Sequence, residues 1–410
     1  MGFPIHIERP AEPFPRFGEI RSDFGATYIA HGFIGWLFAA TGPVAIVLAV
    51  GGQGGLTETQ LASWIFGVFL INGVITILLS WAYRMPMAFF WTIPGTVLVG
   101  PALKILSFPE VIGAFYATGA LILLLGATGL VKKLMNAIPM PIVMGMVAGV
   151  FLRFGTDLVH ALRSDFVIAG PMVLAWLLLS TFRRVGEKLP PIIGALLVGA
   201  TASLISGQFH LVPGSGGVLA HPVFTVPAWS WSAMIDLVIP LAITVLAVQN
   251  GQGVAVLKTA GHKAPIDAFT VACGVGSLLA AMVGAVSTCL AGPTNAILTS
   301  SGVRQRHYTA ALTAGLLSVV FGLFATGFTR LMLSAPAPFI ATLAGLAMLR
   351  VLQGAFVSTF QGKYALGGLV SFLVTVSNIS LFNIGAAFWG LLAGYCFSRL
   401  LEGADFQAPP

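Results

Sequence analysis

Residues 89–98 read Phe89-Phe90-Trp91-Thr92-Ile93-Pro94-Gly95-Thr96-Val97-Leu98, an apolar stretch with a proline in its middle. Proline lacks the N–H that a helix interior needs, and its ring clashes with the preceding turn. A second stretch has the same form: Val286-Ser287-Thr288-Cys289-Leu290-Ala291-Gly292-Pro293-Thr294-Asn295. In both, the residues ahead of the proline tolerate extended backbone, and a small polar residue and a helical run follow it. Each reads as a short extended segment leading into a half-helix with its proline in the first turn. The plainer alternative for either proline alone is a kink in a continuous helix. The matched pair favours half-helices. Lipid supplies no hydrogen bonds, so freed backbone must be satisfied by protein or by a water-lined cavity. Two half-helix N-termini meeting from opposite sides make an anion site without any charged side chain.

Working outward, the 410-residue chain is 57% hydrophobic and only 8% charged. A soluble domain carries roughly 25% charged residues, so the expected class is an all-α polytopic membrane protein. A crossing needs roughly 20 apolar residues. On that basis the expected spans are 27–50, 60–82, 88–103, 109–129, 138–160, 166–183, 189–206, 232–257, 266–285, 287–302, 308–327, 332–350, 363–378 and 382–400. The third and tenth are too short or too interrupted to be ordinary crossings. The expected organisation is a cytoplasmic tail over 1–26, a first repeat over 27–206, an external loop over 207–231, a second repeat over 232–400, and a cytoplasmic tail over 401–410. The first 25 residues hold charges and prolines but no apolar h-region, so no cleavable signal is expected.

The net charge is +7, yet no basic patch points to nucleic acid. Lys and Arg sit singly or in pairs at the ends of apolar runs. With the N-terminus inside and sides alternating, sixteen fall on the cytoplasmic side: Arg9, Arg16, Arg21, Arg84, Lys132, Lys133, Arg183, Arg184, Lys188, Lys258, Lys263, Arg304, Arg306, Arg350, Lys363 and Arg399. Only Lys104, Arg153, Arg163 and Arg330 fall on the other. That bias fits the positive-inside rule and a chain in the inner (plasma) membrane with both termini cytoplasmic. Seven spans per half is an odd number, so the second half is expected to be inverted relative to the first. The two halves also share short matches. Gly42-Pro43-Val44-Ala45-Ile46-Val47-Leu48 stands against Gln252-Gly253-Val254-Ala255-Val256-Leu257, and the two proline stretches stand against each other at ranks three and ten.

Span 8 carries Gln249-Asn250-Gly251-Gln252. Amides within a span are costly unless they face a cavity or a partner helix. They offer donors and acceptors suited to a carboxylate, and helix–helix hydrogen bonding is the alternative use. Asn295 joins them one turn into the second half-helix. No acidic residue stands at the centre of a span, which leaves His31, Asp157 and Asp236 as weak candidates for proton coupling. Cys273, Cys289 and Cys396 lie in apolar segments without metal-ligand spacing and read as small buried residues. There is no phosphate loop, no metal-spaced histidine cluster and no nucleophile paired with a base, so neither an enzyme, a cofactor nor a metal is expected.

Several separate motifs resemble the benzoate:proton symporter family (BenE-type). They are Gly55-Leu56-Thr57 through Ser63-Trp64, Tyr83-Arg84-Met85-Pro86, and Trp91-Thr92-Ile93-Pro94-Gly95. Further along come Gln249-Asn250 with Gly253-Val254-Ala255-Val256-Leu257 and Ala260-Gly261, then Asn295-Ala296-Ile297-Leu298-Thr299. The resemblance implies the fold shared with nucleobase–ascorbate and sulfate-type permeases, with seven plus seven inverted spans, a core and a gate domain, and a homodimer. It implies import of an aromatic carboxylate with protons. It places Thr92, Gly95, Thr96, Gln249, Asn250, Gln252, Gly292, Thr294 and Asn295 near the substrate. The broken-helix reading adds Pro94 and Pro293 to that site, with Phe90, Trp91 and Leu290 expected against the apolar ring. Nucleobase relatives carry glutamates in spans 8 and 10, where this chain has amides. Cys289 and Pro293 also depart from the family pattern in span 10.

The leading expectation is therefore gradient-driven, proton-coupled uptake of benzoate or a related aromatic acid by alternating access. A passive or exchange anion transporter or channel on the same scaffold is the alternative, motivated by the missing central carboxylate. An intramembrane enzyme acting on an aromatic or lipid acid is a third reading, disfavoured by the want of catalytic groups.

Overall fold

The computed structural model describes residues 7–131, 138–182, 189–211, 217–379, 381–382 and 384–406. Lys132, Lys133, Arg183, Arg184 and Lys188 lie outside them, as do parts of the expected tails and external loop. The described chain is almost wholly helical. The elements in order are α1 (Phe17–Asp23), α2 (Ala26–Ala40), α3 (Gly42–Gln53), α4 (Glu58–Tyr83), β1 (Phe89–Trp91), α5 (Ile93–Ala102), α6 (Phe108–Thr128), α7 (Met140–Ser164), α8 (Phe166–Thr181), α9 (Pro191–Ile205), α10 (Trp231–Thr259), α11 (Ile266–Met282), β2 (Thr288–Leu290), α12 (Gly292–Thr299), α13 (His307–Leu323), α14 (Ala325–Leu333), α15 (Ala337–Phe360), α16 (Ala365–Ser377) and α17 (Ala386–Leu401).

Six described helices are long and apolar enough to cross a membrane: Ala26–Gln53, Glu58–Tyr83, Phe108–Thr128, Met140–Ser164, Trp231–Thr259 and Ala337–Phe360. A seventh run continues from Arg304–Leu323 into Ala325–Leu333 after a break. The other apolar helices have 10–17 residues or fewer; at 1.5 Å per residue, even 13 residues reach only about 20 Å. Expected span 12 (332–350) is displaced. Pro336 precedes the helix, which starts at Ala337 and runs on to Phe360.

The chain divides into two compact units. The first contains Met1–Ala39, Ala62–Ile138 and Leu219–Thr326. Its helices approach through glycine. A Cβ on Gly73 of α4 would stand 2.8 Å from the Gly315 carbonyl of α13, and one on Gly315 would stand 2.9 Å from the Gly73 carbonyl. Small residues let helix backbones close up where burial in lipid gives no hydrophobic drive. The N-terminal segment is tied to this unit. Tyr83 donates to the Glu8 carbonyl (2.6 Å), Trp81 to that of Pro15 (3.3 Å), and Arg306 to that of Asp23 (2.7 Å).

The second unit contains Ala40–Leu61, Pro139–Val218 and Gly327–Pro410. Within it α15 packs along α7, and α16 packs on α7 and α17. Gly367 and Gly394 repeat the reciprocal contact, with added Cβ atoms 2.8 Å and 2.6 Å from each other's carbonyl. Glu58 accepts from Arg330 at 2.6 Å.

Candidate functional site

Both proline stretches are broken helices, and their extended parts meet. β1 and β2 pair antiparallel, with Phe89 opposite Leu290, Phe90 opposite Cys289 and Trp91 opposite Thr288. Two three-residue strands would expose an edge on each side. Side chains cover both. On the β1 side, Thr76 Oγ1 accepts from Phe89 N (2.8 Å) and Ser80 Oγ from Met87 N (3.1 Å). On the β2 side, Ser277 Oγ accepts from Thr288 N (3.0 Å), Asn250 Oδ1 from Leu290 N (2.8 Å), and Asn72 Oδ1 from the Thr288 hydroxyl (2.7 Å). The uncharged polar residues of the neighbouring spans thus do for this sheet what further strands do in a soluble protein.

Beyond each strand a helix begins with proline as its second residue, Pro94 in α5 and Pro293 in α12. Thr92 caps α5. Its Oγ1 accepts from Gly95 N (3.1 Å) and donates to Thr244 Oγ1 (3.1 Å). The Thr96 hydroxyl donates to the Thr92 carbonyl (2.9 Å), which occupies its one proton. The N–H groups of Thr96 and Asn295 are taken by the Thr92 and Ala291 carbonyls. The N–H groups of Ile93, Gly292 and Thr294 make no hydrogen bond among the described residues. Helix N-termini carry such orphan donors and partial positive charge, so both half-helices offer donors free for an anion.

The amides divide into two kinds. Asn250 is 1% exposed and grips Leu290 N, with Nδ2 at 3.7 Å from Cys273 Sγ. Asn295 is fully buried. Its Oδ1 accepts from Ala88 N (2.9 Å), and its Nδ2 donates to the carbonyls of Ala88 (3.1 Å) and Ala291 (2.8 Å). These two hold the strands in place. Gln252 is exposed, and a Cβ on Gly292 would stand 2.7 Å from Gln252 Cγ and 2.8 Å from its Oε1. Its amide therefore lies over the start of α12. Gln249 is buried at 6% exposure. Residues Thr244–Asn250 form a π-helical stretch; the wider turn, common at functional sites, rotates these neighbours relative to an ordinary helix.

Phe90 and Trp91 join a cluster with Phe69 and Phe321. Ring centroids lie 5.9 Å apart for Phe69–Phe90, 5.2 Å for Phe69–Trp91 and 4.4 Å for Phe69–Phe321, and Trp36 meets Phe321 at 5.8 Å. Gly35, beside Trp36, packs on Thr294, with an added Cβ 3.2 Å from its Cγ2. The indole N–H groups of Trp36 and Trp91 have no partner among the described residues. Leu290 lies instead in the apolar core under the strands, with Phe89 and Cys289.

The proton-coupling candidates are not gathered at the strand pair. Asp236 is buried (5% exposed) near the start of α10, some 13 residues and so roughly 20 Å before Gln249 along that helix. His31 hydrogen-bonds the Thr27 carbonyl at 2.8 Å. Asp157 belongs to the second unit, 3.8 Å from Arg153. A feature the sequence reading passed over is a histidine pair, His262 Nε2 and His307 Nδ1 at 3.2 Å. Trp36, Phe69, Phe321, Thr244 and the stripe Asn72-Thr76-Ser80 were passed over too. That stripe recurs every fourth residue, the spacing of one helix face, and was the available signal.

The whole resembles known transporters in fold. The structure matches that of SLC26A9 with a TM-score of 0.64 at 14% identity, covering 93% of this chain and 66% of that one. It matches the transmembrane domain of the cyanobacterial bicarbonate transporter BicA with a TM-score of 0.61 at 15% identity, covering 90% and 98%. These likenesses give the fold; the family match and the relatives give the class, a membrane transporter rather than an enzyme. More specifically, the chain belongs to the benzoate membrane transport protein family (BenE), which it matches over residues 22–400. It is 33% identical to the inner membrane protein YdcO of Escherichia coli over 380 residues, covering 91% of this chain and 96% of that one. It is 28% identical to the benzoate membrane transport protein of Acinetobacter baylyi over 379 residues, covering 92% and 95%.

Proposed function

We propose that this transporter carries benzoate or a related aromatic carboxylate into the cell, coupled to protons, by alternating access. The observation that supports it most is the pair of half-helices whose N–H groups at Ile93, Gly292 and Thr294 are unused beside an aromatic cluster. Three free donors and two positive helix ends suit one carboxylate. The aromatic cluster holding Phe90 and Trp91 suits a ring, and Gln252 suits orientation of the anion from outside. Thr92, Thr96, Asn250 and Asn295 then act by fixing the backbone that presents those donors. Pro94, Gly95, Pro293 and Gly292 act by shaping the two helix starts, and Gln249 by lining the widened turn of α10. A named benzoate transporter among the relatives supports the substrate class.

In the same reading the short apolar helices are crossings too. The chain then has about fourteen spans in two inverted repeats over 27–206 and 232–400, with both termini on the cytoplasmic side of the inner membrane and a homodimeric assembly. Carriage of the substrate with its proton needs no side-chain relay; His31, Asp157 and Asp236 remain the relay candidates. The absence of a carboxylate from the described strand pair favours one second reading, passive or exchange transport of small carboxylates.

Proteoliposomes loaded with the protein and given labelled benzoate under an inward proton gradient separate the two. Uptake above the equilibrium level, lost on adding a protonophore, is expected. Gln252→Ala should raise KM. Uptake indifferent to the gradient would leave the passive reading, and no uptake of any aromatic acid would end both.

A further inference from the structure

A second candidate site lies in the first unit, in a cavity lined by no residue of the strand pair. A cavity of about 440 Å³ opens beneath the N-terminal segment, where four stretches far apart in sequence each deliver a cation. They are Arg9 from the segment itself, Arg84 at the end of α4, Lys263 between α10 and α11, and Arg304 ahead of α13. We propose that this cavity binds a phosphate group, supplied by an anionic lipid headgroup or by phosphate in solution.

The walls are built rather than incidental. Arg84 takes a left-handed φ of 49°, a conformation that non-glycine residues adopt only when held there. It is fixed there by an ion pair with Glu19 and by donation to the Pro13 carbonyl at 2.9 Å. Arg304 is aimed by donation to the Gly261 carbonyl at 2.6 Å. The chain already places one anion in this cavity. The Glu8 carboxylate accepts from the N–H groups of Asp267 (3.2 Å) and Ala268 (2.9 Å), at the start of α11.

Charge decides what else fits. Four cations face two lining carboxylates, Glu8 and Glu12, and Arg84 also pairs with Glu19 from beyond the lining, so a single positive charge is left over. Glu8 is spent on α11, and Glu12 lies 3.9 Å from Arg84. Arg9 and Lys263 make no ion pair or hydrogen bond among the described residues. His262 adds no charge at neutral pH, since burial, then His307, then Arg304, press its pKa from 6.5 to about 4. The surplus is positive and gathers where α4 and α10 end and α11 and α13 begin, and Lys and Arg clustered beside membrane helices attract anionic headgroups.

The test uses the full chain in nanodiscs and does not depend on what the protein transports. Thermal unfolding is followed in neutral phosphatidylcholine discs titrated with inorganic phosphate, and separately in discs containing phosphatidylglycerol. A raised midpoint in the first arm identifies free phosphate, and one confined to the second identifies a lipid headgroup; either supports the site. The double variant Arg9→Gln/Lys263→Gln removes two exposed side chains that hold nothing in the fold. It should weaken apparent affinity by roughly 30-fold, at about 1 kcal/mol per cation. Gln252→Ala should leave the response unchanged. No response in either arm, or a double variant that responds like the native chain, overturns the proposal. A response abolished by Gln252→Ala would instead assign it to the strand-pair site.

Discussion

Replacing Asn295 by alanine should unfold the half-helix site before it touches substrate affinity. The amide makes three bonds: Ala88 N–H donates to its Oδ1, and its Nδ2 donates to the Ala88 and Ala291 carbonyls. Both carbonyls keep a second partner, since Ala291 N donates to Ala88 and Asn295 N to Ala291. Ala88 N–H has no substitute. An orphaned buried donor costs roughly 1–3 kcal/mol, and each of two lost bonds to satisfied carbonyls about 0.5–1.5 kcal/mol. The sum is about 4 kcal/mol, enough to lower the midpoint by on the order of 5 °C in a chain of this size. Asn295→Asp sharpens the point. It keeps the acceptor for Ala88 N–H but sets a carboxylate oxygen against two carbonyls, so the new acid should bind a proton and the loss should grow as pH rises. The assay is thermal unfolding of purified protein with parallel binding of labelled benzoate. An Asn295→Ala protein of native midpoint that fails only to bind would refute the reasoning and return the amide to the substrate.

Asn250→Ala should behave like Asn295→Ala, because it strips Leu290 N of its acceptor; a coincident loss of midpoint and transport checks it. Gln252→Ala should keep the native midpoint and raise the transport KM, since that side chain is exposed and makes no described hydrogen bond. Gly253→Ala should be strongly destabilising, because a Cβ there would meet Leu290 Cδ2 and Cγ at 2.8 Å and its carbonyl oxygen at 3.0 Å; expression and unfolding midpoint report it. Acid should loosen the N-terminal segment. His262 is held at about 4 against 6.5, so the unfolded state takes up its proton first and stability falls as pH drops through that window. Glu19 is lowered chiefly by its bond to Arg84 and adds a loss of the same sign at lower pH. Hydrogen exchange of residues 7–25 at pH 7 and pH 5, corrected for the base-catalysed intrinsic rate at each pH, should show lower protection in acid.

Much of this protein was legible in one dimension. The excess of apolar residues required lipid, and each proline required a break, because a pyrrolidine ring forbids the continuous helix whatever surrounds it. That placed the helix starts at Ile93 and Gly292. The roles of the amides were not legible. Gln249, Asn250, Gln252 and Asn295 look alike as side chains, and only the pairing of β1 with β2 put Leu290 N in front of Asn250 and Ala88 in front of Asn295. Gln252, over the start of α12, makes no hydrogen bond among the described residues. The solvent, the breaks and the kind of chemistry available follow from residue type and local backbone sterics, and so could be read before any fold was known. Tertiary structure alone decided which polar groups are spent on the fold and which stay free, because a hydrogen bond across some 200 residues, as between Asn295 and Ala88, leaves no trace in local pattern.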